Sequence, residues 1–134
     1  MRLTIYHTND IHSHLHEYER IKAYMAEQRP RLNHPSLYVD LGDHVDLSAP
    51  ITEATLGKKN VALLNEAKCD VATIGNNEGM TISHEALNHL YDEAKFIVTC
   101  SNVIDESGHL PNNIVSSYIK DIDGVKIPVS YTHL

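Results

Sequence analysis

Three short apolar runs, each stopping abruptly in polar residues, constrain this chain more than anything else in it. Arg2 to Thr8 runs into Asn9, Asp10, Ile11 and His12; Ser36 to Leu41 stops at Gly42 and Asp43; Asp70 to Ile74 stops at Gly75, Asn76 and Asn77. Helical stretches of ten or more residues separate them. Strands alternating with such helices form βαβ units and a largely parallel sheet, so the fold class is α/β. In a parallel sheet, the loops at the carboxyl ends of the strands gather on one rim, where ligands bind.

The first helix is read over Glu17–Gln28, with Ile21, Tyr24, Met25 and Gln28 on its inner stripe and Pro30 closing it. A second runs from Thr52 to Lys68, carrying Val61, Leu64 and Lys68 on one stripe, with Gly57 weakening its first half. Ser83 caps a third, whose inner face is Leu87, Leu90, Tyr91 and Ala94. A fourth strand spans Phe96–Thr99. Ile114–Asp121 and Val125–Ile127 read as a hairpin about Asp123-Gly124. Residues 128–134 fit poorly as a continuation of that last strand and resemble a translated sequencing adapter. They are expected to be a non-native tail, so that His133 carries no meaning and residues 1–127 are the domain portion.

A chain of 134 residues suffices for one ordinary core. Its formal charge of −7, without a Lys/Arg cluster, argues against a nucleic-acid partner or an anionic membrane surface. That balance still permits a phosphate-bearing substrate, because bound cations can supply positive charge locally. Cys69 and Cys100 read as reduced core residues. No run has transmembrane length and the N-terminus lacks a signal pattern, so a cytoplasmic location is expected.

The strand-end loops carry the chemistry. Asp10 and His12 lie two apart, and in an extended backbone they would project to one side. Asp43 follows the second strand and Asn76 the third, each adding an oxygen ligand at the same rim. Any one of these reads more simply as a turn residue; the three loops together read as a divalent-metal site. His7 reads as a core or rim histidine, and His14, His16, His34, His84 and His89 as solvated or capping residues. Asp46 is balanced between loop solvation and support of a metal ligand. Glu78 reads as a brace for its loop.

In order and spacing, Asp10-x-His12, Gly42-Asp43 and Gly75-Asn76-x-Glu78 resemble the calcineurin-like metallophosphoesterase superfamily, and within it the 5′-nucleotidase / 2′,3′-cyclic phosphodiesterase family. Gly57, Leu64-Asn65 and Ser101-Asn102-Val103 also match the nucleotidase branch. The resemblance implies part of a four-layer αββα sandwich, truncated before its second half, and metal-dependent hydrolysis of a small phosphoester, a nucleotide above all. It implies two divalent ions, zinc, manganese or similar: Asp10 and His12 on the first, Asp43 between the two, and Asn76 on the second. It places Asn102 beside substrate.

Two departures stand out. Where the family carries a histidine that assists at the phosphoryl group, this chain has Asn77. An amide donates a hydrogen bond there but cannot protonate a leaving group. His44, next to Asp43, is the nearest residue that could share that role. The family's late Gly-His and His-x-His segments have no counterpart here, which leaves about half of a two-metal site. A non-catalytic metal- or nucleotide-binding protein is the rival that Asn77 suggests.

Overall fold

The computed structural model describes residues 1–132. Its strands are β1 (Thr4–Thr8), β2 (Ser36–Asp40), β3 (Val71–Ala72), β4 (Ile97–Thr99), β5 (Ile114–Val115), β6 (Ser117–Ile122) and β7 (Val125–Ser130). Its helices are α1 (Leu15–Gln28), α2 (Pro50–Thr55), α3 (Lys58–Glu66) and α4 (His84–Leu90). The first five strands form one parallel sheet in the order β1-β2-β3-β4-β5; β6 and β7 pair as an antiparallel hairpin. The expected α/β class is therefore what the chain adopts.

Sequential strand order has a consequence for the layers. Parallel crossovers are right-handed almost without exception, so strands added in one direction put their helices on one face. That face holds the core: Tyr18 and Met25 of α1, Tyr38 of β2, Val61 and Leu64 of α3, Leu87 and Leu90 of α4, and Val98 of β4. The other face is thinly covered. Ile5 is 57% exposed and Leu41 43%, and Val39, Val71 and Val129 help line an apolar hollow of about 140 Å³.

Several local readings need correction. The helix expected over Thr52–Lys68 is two, because Leu56 (φ 48°) and Gly57 (φ 81°) turn left-handed and break it. The break lets Gly57 sit against Leu90 and Val45, where a Cβ would lie 2.9 and 3.0 Å from their side chains. On α1 the buried residues are Tyr18 and Met25; Tyr24 is exposed and meets Tyr6 edge-on at 6.4 Å. The Asp123-Gly124 turn is present with both φ values positive, as a tight hairpin turn requires. The strand expected over Ile114–Asp121 divides between the sheet (β5) and the hairpin (β6). β7 runs on to Ser130, opposite Ser117, past the expected end at Ile127. His133 lies outside the described residues.

Candidate metal centre

Beyond β1 the chain does not stay extended. Asp10, His12 and Ser13 all adopt left-handed backbone (φ 54°, 47° and 54°), as does Asp43 (φ 53°). Such conformations cost non-glycine residues free energy and persist where their surroundings impose them. Here the two loops impose them on each other: the N–H groups of Asp10, His12 and Ser13 donate to the carbonyls of Gly42 (3.1 Å), Asp43 (2.9 Å) and His44 (2.9 Å). Asp10 and His12 thus come together through coiled loops lying side by side, and the two-residue alternation of a strand is not the cause.

The third loop is packed against the second by two glycines. A Cβ on Gly42 would stand 2.6 Å from the Gly75 nitrogen, and one on Gly75 would stand 2.2 Å from Asp43 Oδ1. The N–H of Asn77 donates to that same Oδ1 at 2.8 Å, so the Asn76–Asn77 peptide lies on the Asp43 carboxylate. Glu78, only 1% exposed, locks the arrangement. Its carboxylate accepts the N–H groups of Asp43 (3.1 Å), Val45 (2.8 Å) and Gly75 (2.8 Å). Burial pushes its carboxyl upward, and the Val45 and Gly75 amides pull it back. A five-residue π turn, Asn77–Thr81, carries Glu78 inward.

Asp10, His12 and Asp43 converge: one ligand atom from each lies within 4.8 Å of the others. His12 Nε2 is 3.6 Å from Asp10 Oδ1, a separation that two ligands on one ion with bonds of about 2.1 Å would show. Hard carboxylate oxygens with one imidazole suit zinc or manganese, so the residues present fit the implied cation. Burial draws the His12 ring down. The Asp46 hydrogen bond and the charges of Asp43, Asp46 and Asp10 outweigh it and hold the ring above its ordinary value. Asp46 is held below its own by the Ser48 hydroxyl and amide and by His12.

The remaining expected residues are placed as follows. Asn76 is exposed beside Asp43, at the entry to the π turn; Asn77 is half-buried, its Nδ2 at 3.1 Å from His12 Nδ1. Asn102 is exposed in the loop after β4, with its Oδ1 3.5 Å from Cys100 Sγ. His7 is exposed on the open face of the sheet and is neither core nor ligand. His44 cannot share the role of the missing histidine. It is 3% exposed, edge-on to Tyr18 at 4.7 Å, and burial lowers it to about 4.

Sequence reading missed what lies beneath the loops. The Ser13 hydroxyl accepts from Asp46 N–H (2.8 Å) and Asn60 Nδ2 (3.0 Å) and shares its own proton with Thr52 Oγ1 (2.8 Å); Ser13, Thr52 and Asn60 are buried. Asn60 also donates to the His44 carbonyl at 2.9 Å. This network ties both loops to α2 and α3. The one visible hint was the Asp43-x-x-Asp46 spacing, since nothing about a polar residue on a helix face announces burial.

The model of the calcineurin-like phosphoesterase family matches residues 3–133 of this chain. The chain belongs to that family. It is 44% identical over 124 residues to YunD, an uncharacterized metallophosphoesterase of Bacillus subtilis, a match covering 90% of this chain and 27% of YunD. Among solved structures, the NAD nucleotidase NadN of Haemophilus influenzae superposes with a TM-score of 0.84 at 25% identity, over 98% of this chain and 26% of NadN. A 5′-nucleotidase precursor from Thermus thermophilus gives 0.82 at 21% identity, over 98% of this chain and 28% of its own, a likeness of fold. The chain thus spans about a quarter of the length of the relatives it matches. As a family member it is a phosphoesterase-type α/β domain with a candidate Asp/His/Asp metal group. No helix among the described residues is long and apolar enough to cross a membrane.

Proposed function

We propose that residues 1–127 are the N-terminal portion of the catalytic domain of a dinuclear metal-dependent phosphohydrolase, acting on nucleotides in the manner of a 5′-nucleotidase. The observation that carries this reading is the convergence of Asp10, His12 and Asp43 at one rim, in a fold shared with a NAD nucleotidase. Asp10 and His12 would hold one divalent ion, Asp43 would reach both, and the Asn76 amide oxygen would serve the second. When bound, such ions neutralise phosphoryl charge and acidify a water for attack on phosphorus. The protein's own part is placement. Glu78 and the Gly42–Gly75 contact fix Asp43, the paired loops fix Asp10 and His12, Asn77 would offer a hydrogen bond to a phosphoryl oxygen, and Asn102 would meet the substrate.

The rival reading, a metal- or nucleotide-binding protein without turnover, draws on Asn77 standing where a proton-donating histidine would be. One assay separates them. Turnover by the intact protein is measured with zinc or manganese, as phosphate released from AMP and p-nitrophenyl phosphate and as nucleoside monophosphate formed from NAD and from a 2′,3′-cyclic nucleotide. Chelator-sensitive turnover of a nucleotide is expected, falling to background in Asp43→Ala. Asn77→His should raise kcat/KM more on AMP, with its poor alkoxide leaving group, than on the aryl ester, which needs little protonation. Bound metal without turnover of any of these esters would favour the binding reading.

A further inference from the structure

The His12 ring has two nitrogens and three polar neighbours. Nε2 faces Asp10 Oδ1 at 3.6 Å, while Nδ1 lies 3.2 Å from Asp46 Oδ2 and 3.1 Å from Asn77 Nδ2. A neutral imidazole carries one proton, so these contacts cannot all be favourable at once. With the proton on Nε2, Nδ1 accepts from the Asn77 amide, the Asp46 carboxylate meets a lone pair, and the ring has nothing to offer a cation beside Asp10. With the proton on Nδ1, the ring donates to Asp46 and presents the Nε2 lone pair to Asp10 and Asp43. Asn77 must then turn its amide by half a rotation and give its oxygen, not its nitrogen, to the ring. Amide oxygen and nitrogen occupy nearly the same space, so that turn requires no rearrangement around it.

Asp46 is built to decide between these states. Its Oδ1 accepts the Ser48 N–H at 2.9 Å, which leaves Oδ2 for His12. Its own N–H donates to Ser13 Oγ, and Ser13 is anchored by Thr52 and Asn60, which are 0% and 1% exposed. The backbone that carries this carboxylate is therefore fixed from below, and Ser48 orients the carboxylate itself. A ligand histidine whose second nitrogen donates to a carboxylate is oriented and made a better donor by it.

Resting on the reading of Asp10, His12 and Asp43 as metal ligands, we infer that Asp46 is a positioning residue. It holds His12 in the Nδ1–H tautomer and, through that proton, turns the Asn77 NH₂ group away from the ring, free to donate to a substrate oxygen. The arrangement gives Asn77 a defined polarity in place of the missing histidine's acidity. It makes Asn77 a donor of one hydrogen bond to the phosphoryl group, oriented by a residue that never touches substrate.

The test uses the intact protein with ¹⁵N-labelled histidine, titrated with Zn²⁺, the His12 signals being assigned by difference from His12→Gln. In the wild type, His12 should show Nε2 bound to the metal and Nδ1 protonated, a readout that needs no Asp46 variant to fold. Asp46→Asn keeps the oxygen that accepts Ser48 N–H but can set an NH₂ group against Nδ1. It should lower Zn²⁺ affinity by about 10–100-fold while leaving the urea midpoint of the metal-free protein unchanged. Asn77→Asp gives the ring a second acceptor and removes the donor, so Zn²⁺ affinity should hold while turnover falls. If Asp46 merely shaped its turn, Asp46→Asn would bind Zn²⁺ as tightly as wild type, and that result overturns the inference. So does a wild-type spectrum with Nδ1 as the metal-bound nitrogen. A wild type that binds neither Zn²⁺ nor Mn²⁺ would instead bring down the metal-site reading itself, and the inference with it.

Discussion

Asp40 shows what a single residue under this rim is asked to do. It is 2% exposed, accepting the Thr8 hydroxyl at 2.6 Å and the Gly42 N–H at 3.2 Å. Behind Thr8 the chain of hydroxyls continues to Tyr38 (2.8 Å) and Tyr18 (2.7 Å). Burial raises the Asp40 carboxyl to about 7; the Thr8 and Gly42 bonds oppose the rise, and the charges of Glu78 and Asp10 add to it. The folded protein therefore keeps a proton there that the unfolded chain releases near 4. Between those values the native state binds more protons, so the stability tied to this group is complete at acid pH and is lost as pH climbs to about 7. The loss is at most roughly 4 kcal/mol. Asp40→Asn removes the titration at nearly constant shape. Urea unfolding with chelator should show the variant gaining on wild type from pH 4.5 to about pH 7 and levelling off above it; a pH-independent gap would contradict this account. None of it was legible in the sequence, where Asp40 is one polar letter inside an apolar run. The clustering of Asp10, His12 and Asp43 was legible because their places after successive strands put them at one rim.

At the scale of elements, the site depends on how closely two strand-end loops approach, and glycine sets that distance. Because a Cβ at Gly75 would fall 2.2 Å from Asp43 Oδ1 and 2.6 Å from Asp43 N, Gly75→Ala has no relaxed solution. Asp43 must shift or the loop must lift off Glu78. Overpacking of this kind costs about 1–3 kcal/mol, and the carboxylate it displaces is a candidate ligand. Calorimetric titration should find Mn²⁺ affinity reduced by more than about tenfold, while urea unfolding reports the stability loss of about 1–3 kcal/mol. Affinity equal to wild type would show that the Asp43 position is not what the glycine protects. Most elements were readable, since period-2 and period-3.6 patterns survive in short strands and helices; the split of α2 from α3 and of β5 from β6 was not. Element limits were less so. Helix 52–68 broke at Leu56-Gly57 because Gly57 is needed against Leu90 and Val45, a tertiary demand that overrides local propensity. The bracing by Glu78 was anticipated; its three backbone donors, and the π turn that delivers it, came only with the fold.

For the whole molecule the question is what one rim of one sheet can do. The helices cover a single face, and on and around the other side Ile5 (57%), Leu41 (43%), Ile119 (59%) and Val125 (43%) stand open. Among the described residues, the His/Cys/Asp/Glu ligand group is Asp10, His12 and Asp43. With the Asn76 amide proposed above, that would make four side chains, enough for one well-held ion. Two ions roughly 3.5–4 Å apart would need more, particularly at the second, for which the proposed ligands are Asp43 and a neutral amide. The match to NadN covers 26% of that protein, which leaves ample chain in such relatives to supply further ligands. The 134-residue chain by itself should therefore bind Zn²⁺ or Mn²⁺ weakly, with one ion at saturation in a calorimetric titration, and should release no phosphate from AMP or p-nitrophenyl phosphate above the blank. A longer protein carrying this portion at its N-terminus, as proposed above, should bind two ions and turn over. Chelator-sensitive hydrolysis by the short chain would mean that its own residues complete the second site. Asn102 and two solvent-facing histidines, His14 before α1 and His16 in its first turn, would then be the first to replace by alanine.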